Sequence, residues 1–168
     1  MRQNGAMSER QAPIFIAVKT PTHWQALVAL MQDYLARDLN NPGLSSIHAD
    51  IADPQSRYTP PLGQAWLMQC DGQWVGCGAL ASTRVAGLAE LKRMYVIEAF
   101  RGQGLARRMA EHLLRQAGTG GWPRVGLSTW ASNRAALSLY RSLGFSPIEP
   151  FKDHPDPERL YLGRPALP

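Results

Sequence analysis

Between Leu88 and Arg115 the chain reads LAELKRMYVIEAFRGQGLARRMAEHLLR. An apolar run from Leu91 to Val96 leads through a short polar link into Arg101-Gly102-Gln103-Gly104-Leu105-Ala106. Leu105, Met109 and Leu113 then recur at helical spacing, with Arg107, Arg108, Glu111 and Arg115 on other faces. The pattern predicts a strand, a glycine turn and a helix from about Gly102 to Gln116. Two glycines let the backbone turn tightly and come close to a ligand. The first amides of a helix lack intrahelical acceptors, and with the helix dipole they make an anion site suited to a pyrophosphate. Two common nucleotide loops are excluded. A dinucleotide loop needs a third glycine where Arg107 stands, and an ATPase phosphate loop needs a Gly-Lys pair, which the chain lacks.

The rest of the chain supplies elements around that unit. Ile14 to Val18 reads as a strand, and Thr20 or Thr22 as the cap of a helix carrying Trp24, Leu27, Val28, Met31 and Leu35. That helix is expected to end near Asn40-Asn41-Pro42-Gly43, and a shorter one to span Leu44, Ile47, His48 and Ile51. Residues 54–63, PQSRYTPPLG, read as a rigid loop without regular structure. Gln64 to Cys70 and Gln73 to Ser82 read as a hairpin turning at Asp71-Gly72. In the strand from Leu88 to Val96, placing Leu91, Met94 and Val96 on one face requires a β-bulge, whereas Leu91, Arg93 and Tyr95 alternate without one. Val125 to Thr129 is a strand, Asn133 starts a helix with Ala136, Leu137, Tyr140 and Leu143 inward, and Gly144 ends it. Phe145 to Ile148 and Glu158 to Gly163 close the order β-α-α-β-β-β-α-β-α-β-β. The strand-helix-strand unit implies parallel pairing there, and the hairpins imply antiparallel pairing. The expected fold class is α/β (α+β), a mixed sheet of about seven strands with helices on both faces.

With 168 residues the chain suits a flexible leader over 1–12 and one domain over 13–168. Met7 is an alternative start to Met1. Apolar runs are too short to span a membrane, and the N-terminal segment has no signal-peptide core, so a cytoplasmic location is the default. Cys70 and Cys77 are expected as two buried thiols, and no Cys/His cluster has metal-ligand spacing. His23, His48, His112 and His154 are scattered. The net charge of +5 suits an anionic ligand but is too small and dispersed for nucleic acid.

Three stretches together resemble the GNAT superfamily of N-acetyltransferases. They are Glu90 to Val96 leading into Arg-x-x-Gly-x-Ala at Arg101–Ala106, then Leu127-Ser128-Thr129, then Asn133-x-x-Ala136-x-x-x-Tyr140-x-x-Leu143-Gly144-Phe145. The resemblance covers about residues 13–163 and implies a centrally splayed sheet. It implies acetyl-coenzyme A as acyl donor, no metal, and direct transfer to an amine. Met94, Tyr95 and Val96 are implied along the pantetheine arm, with backbone groups of Met94 and Val96 pairing to it. Arg101, Gly102, Gln103, Gly104, Leu105 and Ala106 are implied around the pyrophosphate, and Asn133 near the arm. Arg107-Arg108 is either a contact for the 3′-phosphate or a solvated helix face. Tyr140 is implied as general acid and Glu90 as general base.

The chemistry asks for these types. An amine of pKa about 10 must lose a proton, and a carboxylate accepts it. A thiolate of parent pKa about 8.5 must gain one, and a phenol donates it. Each residue also has a plainer role: Tyr140 as core, Asn133 as helix cap, Glu90 as partner of Lys92 or Arg93. Tyr58, Arg93, Tyr95, Trp130 and Tyr161 are candidates for the acceptor pocket, and Arg57, Arg84 and Arg93 for meeting an acceptor carboxylate. The leading expectation is a small-molecule amine acceptor. A protein N-terminus or lysine acceptor, a longer acyl group and a non-catalytic acyl-coenzyme A sensor are the alternatives. A homodimer through terminal strands would suit the resemblance.

Overall fold

The hairpin of β2 (Gly63–Cys70) and β3 (Gln73–Ser82) begins the sheet on which everything else is laid. Asp71 and Gly72 both have positive φ, 48° and 78°, the backbone of a two-residue hairpin turn whose twist matches the strands. Around the hairpin the computed structural model, which describes residues 11–39, 43 and 45–168, places β1 (Ile14–Ala17), β4 (Leu88–Val96), β5 (Arg124–Trp130), β6 (Ser146–Pro147) and β7 (Arg159–Pro165). The strand order is β1-β2-β3-β4-β5-β7-β6. Every neighbour is antiparallel except β4 and β5, as the strand-helix-strand reading requires.

One face of the sheet is covered by α1 (Pro21–Arg37), α2 (Ile47–Ala52) and α3 (Gln55–Tyr58), the other by α4 (Leu105–Thr119) and α5 (Arg134–Ser142). Thr20 caps α1 through its side chain, which accepts from the His23 amide at 3.2 Å, and Pro21 supplies the pre-set φ of a first helical residue. Leu105, Met109, Ala110, Leu113, Leu114 and Ala117 bury the inner stripe of α4 against Trp66, Leu80, Leu91 and Leu127. Gly78 lets that helix come close: a Cβ there would stand 2.8 Å from Leu113 and 3.1 Å from Met109. On the opposite face Leu27, Leu30 and Met31 pack on Leu67, Cys77, Ala79 and Tyr95. Cys70 and Cys77 are buried on opposite faces and form no disulfide.

Several expectations need correction. Residues 55–58 form a helical turn, because the Asp53 side chain accepts from the Ser56 amide at 3.3 Å while Ser56 Oγ donates back to the Asp53 carbonyl at 3.0 Å. The central helix starts at Leu105 rather than Gly102, since Gly102 and Gly104 keep positive φ. The strand expected over 145–148 shrinks to Ser146–Pro147, and the last strand runs on to Pro165. The first ten residues and the Asn40-Asn41-Pro42 and Leu44 readings lie outside the described residues. Among the described residues no helix is long and apolar enough to cross a membrane.

His112, on α4, stacks on Phe15 at 4.5 Å and meets the edge of Trp66. Its Nε2 is buried without a hydrogen-bond partner among the described residues, and burial lowers its pKa to about 4. The folded form therefore resists a proton that the unfolded chain takes up near pH 6.5. Stability is full above about pH 6.5 and falls as the pH drops towards about 4. We expect His112→Phe to flatten the pH dependence of the unfolding midpoint in that window, recovering about 1–3 kcal/mol at pH 4.5 relative to the parent. Parallel pH profiles for the two proteins would disprove the assignment.

Candidate functional site

The site begins where β4 loses its second neighbour. Leu88, Ala89 and Glu90 pair with Arg124, Val125 and Gly126, and the parallel ladder ends there. Beyond it β5 stays paired with β7 through Trp130, while β4 continues along β3. The two strands diverge, and the β5-facing edge of β4 is left without a ladder.

Arg93 re-aims the strand at that point. It has φ of 58°, and the register jumps from Ala79↔Lys92 to Cys77↔Tyr95. This is the bulge that the Leu91-Met94-Val96 spacing demands, and the simple alternation through Arg93 is overturned. Leu91, Met94 and Val96 pack on the α4 side, whereas Tyr95 packs on the α1 side. The Ile97 amide donates to the Val75 carbonyl across β3. By strand alternation the backbone groups of Met94 and Val96 then face the opening. The Val96 carbonyl already accepts from Arg101 Nε at 2.9 Å.

The glycine turn follows. Gly102 and Gly104 have φ of 75° and 74°, and a Cβ built on either meets nothing within 4 Å. These positions are glycine for the backbone, and the space beside them is open. Among the described residues, the amides of Gly102, Gly104, Leu105 and Ala106 donate to no backbone acceptor. Arg101 straps the turn in place. Its guanidinium also pairs with Asp38, at the end of α1, and lies 5.5 Å from the centre of the Tyr95 ring. Gln103 is exposed, Leu105 is buried and Ala106 packs against the core. Arg107 reaches Ser142 Oγ on α5 at 2.5 Å and Glu111 at 3.6 Å, and Arg108 is exposed.

On the α1–α3 side the divergence opens into a cleft of about 530 Å³ whose walls are charged. Glu90, 3% exposed, stands at the last paired position and accepts from Lys152 Nζ. Arg93 Nε donates to Asp50 Oδ2 at 2.7 Å, and Tyr58 Oη donates to the same oxygen. Arg93 also reaches Ser46 Oγ at 2.7 Å, and Lys92 Nζ reaches that hydroxyl at 3.2 Å. Burial opposes ionisation of Asp50, but Lys92, Arg93 and the hydrogen bonds outweigh it and hold the carboxyl below its usual range. Burial lowers Lys92 to about 8, with Glu90 acting against it. Arg159 lies over the Trp130 ring at 4.2 Å, and its Nε and Nη2 donate to Ser128 Oγ at 3.0 and 2.9 Å.

Tyr140 is on the inner face of α5, 7% exposed, with Phe145 edge-on at 5.5 Å. Burial pushes its pKa well above the usual phenol value, and Tyr34 adds to the shift, so the hydroxyl keeps its proton at neutral pH. Asn133 caps α5, its Oδ1 accepting from the Ala136 amide at 3.3 Å, and it also lines the cleft. Glu90 pairs with Lys152, neither with Lys92 nor with Arg93. Of the acceptor-pocket candidates, Arg93 and Trp130 line the cleft. Tyr58 is buried beneath it on Asp50, Tyr95 donates to Asp33, and Tyr161 donates to the Lys152 carbonyl at 3.2 Å. Arg84 pairs with Asp153, and Arg57 lines the mouth. Sequence reasoning missed Asp50, Lys152 and Arg159. Only Lys92 left a trace, since Glu90 and Lys92 alternate with Ala89 and Leu91 in a strand too buried to carry charge without purpose.

The chain is similar to known proteins. The sequence profile of the Acetyltransferase (GNAT) family matches residues 24–145. An N-acetylaspartate synthetase of Danio rerio is 34% identical over 125 residues, which is 70% of this chain but only 44% of that protein. An uncharacterized N-acetyltransferase of Schizosaccharomyces pombe is 28% identical over 147 residues, 87% of this chain and 90% of that one. A GNAT-family acetyltransferase structure from Staphylococcus aureus superposes with a TM-score of 0.73, covering 93% of this chain and all of that one at 16% identity, a likeness of fold.

The Asp50–Arg93 pair joins α2 to the bulge with both side chains 7% exposed. Removing one partner strands the other. Asp50→Asn should cost about 3–5 kcal/mol in urea unfolding, because the Arg93 charge is left buried and unpaired. Adding Arg93→Met to that variant should restore a large part of the loss. Additive single and double effects would show that the pair is not coupled.

Proposed function

The chain belongs to the GNAT acetyltransferase family, and from that membership we propose that it moves an acetyl group from acetyl-coenzyme A to the primary amine of a small, amino-acid-like acceptor. The observation that carries this reading is the opening of β4 from β5 beyond Glu90 and Gly126, with the glycine turn at the end of β4 and a buried carboxylate at its throat. The donor fits the residues present. Free amides and open space at Gly102 and Gly104 suit its pyrophosphate, and the unladdered edge at Met94 and Val96 suits an amide-bearing arm. When bound, the donor supplies an activated thioester carbonyl.

In this reading the cleft holds the acceptor with its nitrogen towards the splay. Glu90 accepts the proton that the amine must lose, directly or through a water. One of its oxygens takes the hydrogen bond from Lys152, and the other has no partner among the described residues. A backbone amide on the open edge of β4 stabilises the negative charge that grows on the carbonyl oxygen, an interaction worth about 2.7–4 kcal/mol. As the new C–N bond forms and the C–S bond breaks, Tyr140 gives its proton to the departing sulfur and recovers one from solvent. The small acceptor is supported by the modest volume of the cleft, about 530 Å³, and by relatives named for N-acetylaspartate synthesis.

Thermal unfolding with acetyl-coenzyme A tests the donor half: at 100 times its Kd a ligand stabilises by about 2.7 kcal/mol. Gly104→Val, which puts a β-branched residue at φ of 74°, should remove most of that shift. Tyr140→Phe and Glu90→Gln should each keep it while lowering kcat by about 10²–10⁴-fold. Unchanged turnover in both variants would sink the acid–base assignment. Absence of any shift with acetyl-coenzyme A or coenzyme A would sink the function itself.

A further inference from the structure

Four cations stand in the inner cleft: Lys92, Arg93, Lys152 and Arg159. Three of them have carboxylate partners. Arg93 is on Asp50 at 2.7 Å, Lys92 is 3.9 Å from Asp50, and Lys152 is on Glu90. Arg159 has no carboxylate within 4 Å among the described residues. At the mouth Arg57 and Arg84 match Asp53 and Asp153 in number, so the surplus of positive charge is internal.

Arg159 is also the cation that the fold prepares most fully. It faces Trp130 across the β5–β7 ladder, and the indole lies under its guanidinium at 4.2 Å. Trp130 is held in turn by Asp156, which accepts from its Nε1 at 2.5 Å. Nε and Nη2 both donate to Ser128 Oγ, which fixes the plane of the guanidinium. Nη1 remains: it is buried and donates to nothing in the described structure. A buried donor without an acceptor is unfavourable, and a charged one especially so. Here it sits in a locked guanidinium, in a cleft with excess positive charge, close enough to Glu90 for the two charges to act on one another. A carboxylate is the group that a guanidinium in a fixed plane recognises best.

We propose that Arg159 is the anchor for a carboxylate on the acceptor, so that the cleft selects amines that carry a carboxylate, as free amino acids do, over otherwise identical amides. The proposal rests on the acetyl-transfer reading for the identity of the ligand as acceptor, but the anchor itself is a binding site that can be read without turnover. Arg159 holds the carboxylate through its guanidinium, whose Nη1 has no acceptor among the described residues. The amine of the same molecule then lies in the same cleft as Glu90. Arg93 does not share this task because Asp50 already occupies it, and Arg84 is tied to Asp153.

The experiment compares the full chain with Arg159→Gln and Arg159→Lys. Acceptors are free L-amino acids, aspartate and glutamate included, each beside its carboxamide, with acetyl-coenzyme A as donor. The parent should favour the free acids by about 100-fold in kcat/KM. Arg159→Gln should erase that preference, mainly through KM, because it lowers kcat/KM on the acids far more than on the amides. Arg159→Lys should recover part of it. An equal loss on acids and amides, or no preference in the parent, would overturn the anchor.

Calorimetric titration of the same amino acids, with and without coenzyme A, reads the anchor separately. Binding to the parent that vanishes in Arg159→Gln supports the anchor even where no acetyl transfer is detected, and in that case it is the acetyltransferase reading that fails. Lack of binding by every free amino acid overturns the anchor, whatever the donor does.

Discussion

A single strand cannot stay laddered to two neighbours that diverge, and β4 resolves this at Arg93. Up to Glu90 β4 pairs on both sides; beyond it only β3 remains, and at Arg93 the strand is re-aimed. The extra residue reverses the alternation, so Met94 and Val96 turn their side chains to the α4 core and their backbone groups to the gap. A positive φ at a residue with a long side chain is unfavourable by about 1–2 kcal/mol and must be held by its surroundings. Asp50, Ser46 and the Cys77 thiol, which donates to the Arg93 carbonyl at 3.3 Å, do the holding. The side chain that stitches α2 to the sheet is therefore the one whose backbone opens the sheet.

The same divergence orders the charges. A sheet centre is ordinarily apolar, yet Glu90, Lys92 and Arg93 are all nearly buried in β4. They are tolerated because the opening admits a cleft, and because α2 and the segment before β7 supply Asp50 and Lys152 as partners. Two layers result. Asp50, Tyr58 and Arg93 form a satisfied layer that locks α2 and α3 down. Glu90, Lys152 and Arg159 form an upper layer with donor and acceptor capacity left over, and that spare capacity is what an acceptor would meet.

Much of the fold was legible because local signals agreed. Asp71-Gly72 dictated the hairpin, the Thr20-Pro21-Thr22 stretch marked the start of α1, and the step from Leu91 to Met94 offered the bulge beside a plain alternation. Where local signals competed, the reading slipped. Gly102 and Gly104 were taken into the helix although their positive φ keeps them out of it, and the prolines around Tyr58 hid a turn that Asp53 and Ser56 close between themselves. The turn and the inner face of α5 were legible as a motif. The acceptor side was not: Asp50 comes from α2, Lys152 and Arg159 from the stretch that leads into β7, and only the folded sheet brings them into one cleft with Glu90. Arg159 looked like any arginine in a terminal strand, and its meaning depends on Ser128 and Trp130, across a ladder that no spacing encodes.

The pairing of Glu90 with Lys152 sets a condition on the chemistry. An ammonium beside the proposed base stabilises the carboxylate in a site where an isolated buried charge would be costly. In the proposed reaction the incoming amine, protonated in bulk water, would place a second ammonium group near this one carboxylate. Burial lowers the pKa of Lys152, as it does that of Lys92, and like charge acts in the same direction on any further ammonium placed there. The cationic wall therefore favours the neutral, nucleophilic form of the acceptor amine over its charged form. A wall of that sign would repel a simple amine, and an anionic group elsewhere on the acceptor is what makes the encounter favourable. In the proposed reaction the excess of positive charge would serve two steps at once, drawing the acceptor in by one end and helping to deprotonate it at the other.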